Sequence, residues 1–539
     1  MAMSQDEFRA LVHRLESEYR LKPRGYKLHV MLLGALGYAY VLAFFVLLAL
    51  LTGALVLLAA QGDSSSAGTY KLVLPVMLLI LVLLRAMWIS METPRGIELR
   101  SRQNARLFQT LEKIRYALNG PRIHSVLLTD DFNATISRVP RIGLFGWQKN
   151  QLVIGLPLMH ALSAKEFAAI LAREYSHLSG AHGRFNAWIY RVRNTCSKLL
   201  ESLELNDRWG GNIFRGFFQW YAPYFNAYSF VQVRINEYQA DRIAAEIAGA
   251  HYIACALIKI RIKGDYLNKR FWPHVCSQAD HTAVPRFSPY SDMAVLMRKD
   301  ISESEARHSL DNAMREKANC DDTHPSLRDR LASLGEDAIL PRETVNSAAS
   351  HFLENNLGEL TDRLDEQWRM EVADTWNERF EYMRSATARL RELDILGTSS
   401  TLSTDDLFER AWLTEELHNT VRAIPMYQGV LDRRSAHAAA NYHLGRLLLA
   451  EKDGDGLNHI DIAMRNDPEY VLEGCKLAYK FLLDSGDIAA ANTYHEHYYR
   501  QLKNETCIRE RPESINIKDI LLPPEPAPLT RCIHCNNAL

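Results

Sequence analysis

Two long apolar runs lie in the N-terminal part of the chain. Residues 30–60 contain no charge, and the run exceeds the roughly 20 residues that a helix needs to cross a bilayer. A second run, residues 72–90, is just long enough, and its Arg85 lies close enough to one end to extend toward the membrane surface. The pattern predicts a hairpin of two transmembrane helices over residues 30–91.

The charges beside these runs predict their orientation. Arginine and lysine are frequent in the N-terminal segment 1–29 and between Arg95 and Arg106, whereas the loop between the runs holds only Lys71. By the positive-inside rule both flanks are cytoplasmic. We therefore expect an integral membrane protein, of a bacterial inner membrane, whose other domains are cytoplasmic. The alternative is a buried hairpin in a soluble core, but an uncharged run of this length has no polar face for water.

Residues 95–340 have the apolar patterns of a globular domain. Residues 152–155 predict a short strand. The next segment predicts a helix that begins after Ser163, with Glu166 completing a capping box, and ends at Gly180.

Further helices are predicted in the same domain. Residues 231–249 place Glu237 and Asp241 four residues apart on one helical face. Residues 321–335 predict a helix that Gly335 closes. The aromatic segment 213–231 contains Pro223 and is a poor third span. It is either a wall of the core or a face at the membrane surface, and we favour the core.

The C-terminal part of the chain predicts only helices. Residues 346–396 predict a charged connector made of one long amphipathic helix or two shorter ones, and residues 397–404 predict a linker. Within residues 405–505 a set of side chains recurs about every 33 residues, as in tetratricopeptide repeats, which bind partner proteins. The three sets are Ala423, Tyr427 and Val430; Gly456, Ile460 and Ala463; and Ala490, Tyr494 and His497. A non-repetitive helical tail is the alternative.

Cysteine usage and net charge exclude some classes of protein. Eight cysteines without a regular framework indicate a reducing compartment and mostly buried thiols. Cys532 and Cys535 form one CxxC in the proline-rich tail 506–539, which is either a terminal dithiol or half of a site completed elsewhere. A net charge of -1 gives no support to nucleic-acid binding.

One stretch of the helix after Ser163 carries candidate chemistry. Arg173, Glu174 and His177 occupy the places of H-E-x-x-H, in which two histidines one turn apart bind zinc and the glutamate activates water. A glutamate from another helix commonly supplies the third protein ligand, and zinc lowers the pKa of the bound water toward neutrality.

This stretch, together with the patterns downstream, resembles the membrane zinc metalloendopeptidases of metallopeptidase family forty-eight, which include the HtpX-type, OMA-type and CAAX prenyl proteases. The resemblance covers residues 95–340. The family pattern is H-E-x-x-H-x-x-x-x-H, then E-x-x-x-D, then T-H-P-x-x-x-x-R. The chain retains most of it: Glu174, His177, His182, Glu237, Asp241, Thr323, His324, Pro325 and Arg330.

The resemblance implies a role for each matching residue. Glu174 would be the general base, and His177 and Glu237 would bind zinc. Asp241 and His182 would lie around these ligands and orient them. The strand at 152–155 would be an edge strand to which an extended substrate adds.

Arg173 departs from the family at the first ligand position. A guanidinium stays protonated and has no lone pair for zinc. Either Arg173 pairs with Glu174 or Glu237 and joins two helices, or another residue such as His182 or His160 supplies the missing ligand.

The expected fold is mainly α with a small β-sheet: two transmembrane helices, a gluzincin-like metallopeptidase domain and tetratricopeptide-like repeats. Three functions remain open. The protein is a membrane-anchored zinc metalloendopeptidase that cleaves membrane or misfolded proteins, an inactive relative that binds client proteins through its cleft and repeats, or a membrane-tethered adaptor in which only the repeats bind.

Overall fold

The computed structural model describes residues 5–61, 95–140, 148–179, 189, 211–299, 301–316, 325–342, 346–399, 402–417 and 420–509. The described chain is mainly helical with one small mixed sheet, as the sequence predicts. It divides into two compact units. The first contains residues 1–273 and 287–370, and the second contains residues 274–286 and 371–539.

Four strands form the sheet in the described part of the first unit, in the order β1-β2-β4-β3. They are β1 (Ile97–Glu98), β2 (Ser125–Thr129), β3 (Ala134–Pro140) and β4 (Gln148–Gly155). β4 pairs in parallel with β2 and antiparallel with β3, whereas β1 pairs antiparallel with β2.

The predicted strand at 152–155 is therefore confirmed, but its place at an edge is wrong. Both sides of β4 are hydrogen-bonded to neighbouring strands, β2 on one side and β3 on the other. Within the described residues the edges of the sheet are β1 and β3. The buried side chains of Leu152 and Ile154, both 0 % exposed, fit this interior position.

Gly155 ends β4 where the chain passes close to another segment. A Cβ at this position would lie 1.5 Å from the carbonyl oxygen of Asp131, so only glycine fits. Its N–H donates to the carbonyl of Asn133 over 2.8 Å. This close approach directs the chain from the sheet into the helices that carry the candidate site.

Helices form most of the rest of the first unit in its described residues. Their bounds are α1 (Gln5–Leu21), α2 (Pro23–Gln61), α3 (Ala105–Ala117), α4 (Leu156–Ala161), α5 (Ala164–Ser176), α6 (Gly211–Ala248), α7 (Ala250–Tyr266), α8 (Trp272–Ser277), α9 (Pro289–Lys299), α10 (Glu303–Arg315), α11 (Leu327–Leu334) and α12 (Ala348–Phe352). α8 continues from a π-helical turn, Leu267–Phe271, and crosses into the second unit. α5 is central, since it contacts α3, α6, α7, α12 and β3.

The aromatic segment lies on α6, which continues through Pro223 as one helix. Tyr221, Phe225 and Phe230 are buried against α1 and the first part of α2, which agrees with the core interpretation. Trp220 is 53 % exposed, so the segment also contributes to the surface.

The first predicted span lies within α2, and the second, residues 72–90, falls outside the described residues. By length and apolar content, none of the helices in the described part of the chain qualifies as a bilayer-spanning segment.

The second unit is helical throughout its described residues. α13 (Leu357–Ser399) begins in the first unit and continues into the second as one helix. The predicted connector 346–396 therefore consists of α12, a 3-10 turn (Glu354–Asn356) and most of this long helix. α14 (Thr404–Leu417), α15 (Thr420–Arg433), α16 (Ala438–Ala450), α17 (Gly456–Asn466), α18 (Val471–Ser485) and α19 (Ile488–Arg509) follow, and consecutive helices contact one another in the pairs α14–α15, α16–α17 and α18–α19.

The three recurring sets of side chains fall on α15, α17 and α19, the second helix of each pair. The first two sets are buried, whereas His497 of the third is exposed. The tetratricopeptide assignment stays a prediction.

Candidate functional site

α5 presents the candidate residues at its C-terminal end. Ser163 caps the helix as predicted: its hydroxyl accepts from the N–H of Glu166, whose carboxylate accepts from the N–H of Ser163. The predicted end at Gly180 is wrong, because α5 ends at Ser176 and His177 occupies the capping position. The hydroxyl of Ser176 donates to the carbonyl of Arg173, and such bonds compete with continuation of the helix.

Arg173 points from α5 toward α6 and joins three carboxylates. Its Nη1 donates to Glu174 Oε1 over 2.5 Å, and its Nη2 donates to Glu237 Oε2. Its Nε lies 3.3 Å from Asp241 Oδ1, an ion pair without hydrogen-bond geometry. The Arg173 side chain is only 13 % exposed, so water screens these contacts weakly.

The surrounding charges keep Arg173 protonated. Burial acts to lower the pKa of its guanidinium, but the charges of Glu174, Glu237 and Asp241 outweigh burial and raise that pKa above its ordinary value. No accessible pH provides a neutral nitrogen at this position.

His177 and Arg330 complete the cluster. His177 Nε2 lies 3.5 Å from Glu237 Oε1, so Glu237 contacts both Arg173 on α5 and His177 just beyond the end of that helix. Arg330 on α11 binds Asp241 in bidentate fashion, from Nε over 2.8 Å and from Nη2 over 2.7 Å. Asp241 is fully buried, so these bonds replace its hydration.

The model of peptidase family M48 matches residues 130–338. This segment is an M48 domain. The match suggests a metallopeptidase-like function for it, whereas no curated protein is significantly similar to the chain.

The residues described in the M48 domain do not fit a zinc ion. Arg173 stands at the first ligand position and has no lone pair, and it donates to Glu237, the carboxylate that would be another ligand. Within the described residues, no group of three or more histidine, cysteine, aspartate or glutamate side chains could hold a metal ion.

The structure brings together five of the residues that the sequence singled out: Arg173, Glu174, His177, Glu237 and Asp241. Their catalytic and metal-binding roles stay predictions. His182 lies outside the described residues. His160 lies on α4.

The sequence analysis assigns no role to Arg330, which is one member of the cluster around Arg173. Arg330 was part of the T-H-P-x-x-x-x-R pattern, yet its pairing with Asp241 was not foreseen. Two features of the sequence point to this pairing. An arginine is part of the motif near the domain end, and a buried aspartate such as Asp241 needs a cation as its partner.

Proposed function

We propose that the M48 domain is a peptidase-like domain that binds polypeptide segments and has exchanged zinc-dependent hydrolysis for an ion-pair network. The observation that carries this proposal is the Arg173 guanidinium between Glu174 and Glu237. A buried cation at this place repels a divalent metal, and its removal would leave three carboxylates partly uncompensated.

The contacts of Glu174 support the same proposal. Its Oε1 already accepts the hydrogen bond from Arg173 Nη1 at 2.5 Å. A general base must lie within hydrogen-bond reach of the proton that it removes, and here a guanidinium occupies that position.

Polypeptide binding is supported by β3. This strand pairs with β4 on one side and, among the described residues, has no strand on the other. It also contacts α5, the helix that carries Arg173 and Glu174. An extended segment that adds to β3 through main-chain hydrogen bonds would therefore run beside α5.

A hydrolysis assay tests the loss of catalysis. The full-length protein and its Glu174→Gln variant are incubated with an unfolded, fluorescently labelled casein, with and without added zinc. We expect the same background rate in all four samples. Cleavage by the wild-type protein that Glu174→Gln abolishes would overturn the proposal.

Amide hydrogen exchange tests polypeptide binding. We expect a reduced, carboxymethylated protein to slow exchange in residues 134–140 and to leave β2 unchanged, since β2 is paired on both sides. Unchanged exchange in β3 at saturating polypeptide would contradict binding at this edge.

A zinc endopeptidase is the second candidate, favoured by the 3.5 Å separation of His177 Nε2 and Glu237 Oε1. Two ligand-type groups from different helices are already adjacent, and a third could come from His182. This candidate requires Arg173 to leave Glu237. It predicts about one zinc per chain and cleavage that depends on Glu174.

The N-terminal region would attach the protein to a membrane with the M48 domain in the cytoplasm. Large apolar side chains on the later part of α2 support this: Leu42, Leu47, Leu50 and Leu57 are all more than 60 % exposed. Retention in the membrane fraction after alkaline carbonate washing is the expected result, and release into the supernatant would contradict it. The helices α14–α19 would bind client proteins.

A further inference from the structure

A cavity of about 360 Å³ lies at the β1 edge of the sheet. One wall is β1 and the turn that follows it, residues 97–104, and the other is the segment 356–363 at the start of α13. Both walls belong to the first unit, and none of the lining residues belongs to the Arg173 cluster.

Two contacts hold the walls together. Asn356 Nδ2 donates to the carbonyl of Gln103 over 2.7 Å. Arg106 Nε forms an ion pair with Glu354 Oε1 at 2.6 Å. Glu354 has a φ of +42°, an unfavourable conformation for a residue with a side chain, and backbone strain of this kind is concentrated at binding sites. The cavity is thus pre-formed by contacts of its own walls.

One residue that lines this cavity carries an unsatisfied polar group. Asn104 is only 3 % exposed, yet within the described residues its Oδ1 accepts no hydrogen bond. Although Asn104 precedes α3, it does not cap the helix, and its Nδ2 is used on the carbonyl of Arg100. A buried amide oxygen without a donor costs about 1–3 kcal/mol, which a ligand N–H would recover.

The main chain of β1 adds to these groups. The N–H of Leu99 donates to the carbonyl of Val126 on β2. Because the two strands are antiparallel, the N–H and carbonyl of Glu98 point the other way, toward the free edge. No hydrogen bond of these two groups is seen among the described residues.

Four charged side chains line the cavity without pairing in the described part of the chain. They are two cations, Arg100 and Arg363, and two anions, Glu98 and Glu359. Opposite charges held around a polar cavity without joining one another select a ligand with both signs of charge, because a ligand of one sign gains no net attraction.

We propose that this cavity binds a small zwitterion, in which an anionic oxygen group contacts Arg100 and Arg363 and a primary ammonium donates to Asn104 Oδ1. The buried side chains of Ile97, Leu99 and Leu360 provide an apolar floor for the carbons between the two charges. Free α-amino acids and the phosphoethanolamine group of a lipid share this chemistry.

Calorimetric titration of the full-length protein tests the proposal. The probes are O-phosphoethanolamine, glycine and serine, with phosphocholine as the control because its quaternary nitrogen has no N–H to donate. We expect saturable binding of at least one primary amine. Phosphocholine should bind at least about tenfold more weakly. Whether phosphoethanolamine or the amino acids bind more tightly identifies the source of the ligand.

Arg363→Gln and Glu359→Gln test the charges at exposed positions where folding is not at risk. Arg363→Gln should weaken binding of the preferred probe by about tenfold or more, since it removes a charge-assisted hydrogen bond. Glu359→Gln should also weaken binding, since it removes a negative charge that attracts the ammonium group. Arg391→Gln, also exposed on α13, is the matched control and should bind like the wild type.

Three results would overturn the proposal. They are no binding of any primary amine at millimolar concentration, equal binding of phosphocholine, or equal affinity in Arg363→Gln and Arg391→Gln.

Discussion

Arg173 on α5 donates a hydrogen bond to Glu237 on α6, and this pair joins the two helices that carry the motif residues of the M48 domain. The same guanidinium contacts Glu174 and Asp241. One side chain thus occupies the first ligand position and engages the groups that the resemblance assigns to catalysis and metal binding. Zinc binding and the stability of the first unit both depend on this side chain.

Arg173→His should create zinc binding. The substitution removes the cation and places a second imidazole one turn before His177, beside Glu237. We expect about one zinc per chain by elemental analysis. The Arg173→His, Glu237→Gln double variant is the control and should lose most of this zinc. A zinc-free single variant would show that the helices are not spaced for a metal site.

Arg173→Leu should destabilise the first unit by about 3 kcal/mol, because a buried network loses its central cation and keeps its carboxylates. Protonation of those carboxylates becomes favourable in the folded state, so the loss should shrink as the pH falls from 7 toward 4. Urea midpoints at both pH values measure this. A loss that grows at low pH would contradict the account.

Arg330→Gln should destabilise α6 and α11 by about 3 kcal/mol, since Asp241 is fully buried and, among the described residues, would keep only the 3.3 Å contact with Arg173 as an ion pair. Native-state hydrogen exchange of α6 gives its free energy of opening. Arg328→Gln, exposed on the same helix, is the matched control and should change it by less than about 0.5 kcal/mol. Similar losses in both variants would contradict a specific role for the Asp241 pair.

The packing of α16 against α15 around His443 should lose stability in acid. Burial lowers the pKa of His443 from 6.5 to about 4, although its Nδ1 lies 3.2 Å from Glu415. Arg446 also binds Glu415 and reduces the charge that His443 experiences. The unfolded state therefore binds a proton that the folded state excludes, and stability falls as the pH drops from about 7 toward 4.

The expected loss is about 2 kcal/mol, which allows for the opposing Glu415 carboxylate. Hydrogen exchange of α15 and α16, compared with His443→Gln at each pH, measures it. The variant should lack this component of the pH dependence. An identical pH dependence in both proteins would rule out His443 as its cause.

Local features of the fold were predictable because they depend on neighbours in sequence. The capping box at Ser163 and the left-handed Gly335 that ends α11 are of this kind. The pairing of Arg173 with Glu174 or Glu237 was one of two alternatives, and the structure contains both contacts.

Features that depend on distant residues were not predictable. The place of β4 inside the sheet is set by β3 on one side and by β2 on the other, and no periodicity in residues 148–155 reports which strand is next to it. The bidentate bond from Arg330 to Asp241 joins residues 89 positions apart. The end of α5 at Ser176 is likewise a feature that helix periodicity does not encode.

Zinc content tests the central claim most directly. Full-length protein, purified without chelators, is analysed by elemental analysis beside a His177→Ala, Glu237→Ala double variant. We predict the same low zinc content, well below about 0.2 per chain, in both proteins, because Arg173 already occupies the ligand position. Near one zinc per wild-type chain, lost in the double variant, would contradict the ion-pair network and establish a metal site with a different third ligand.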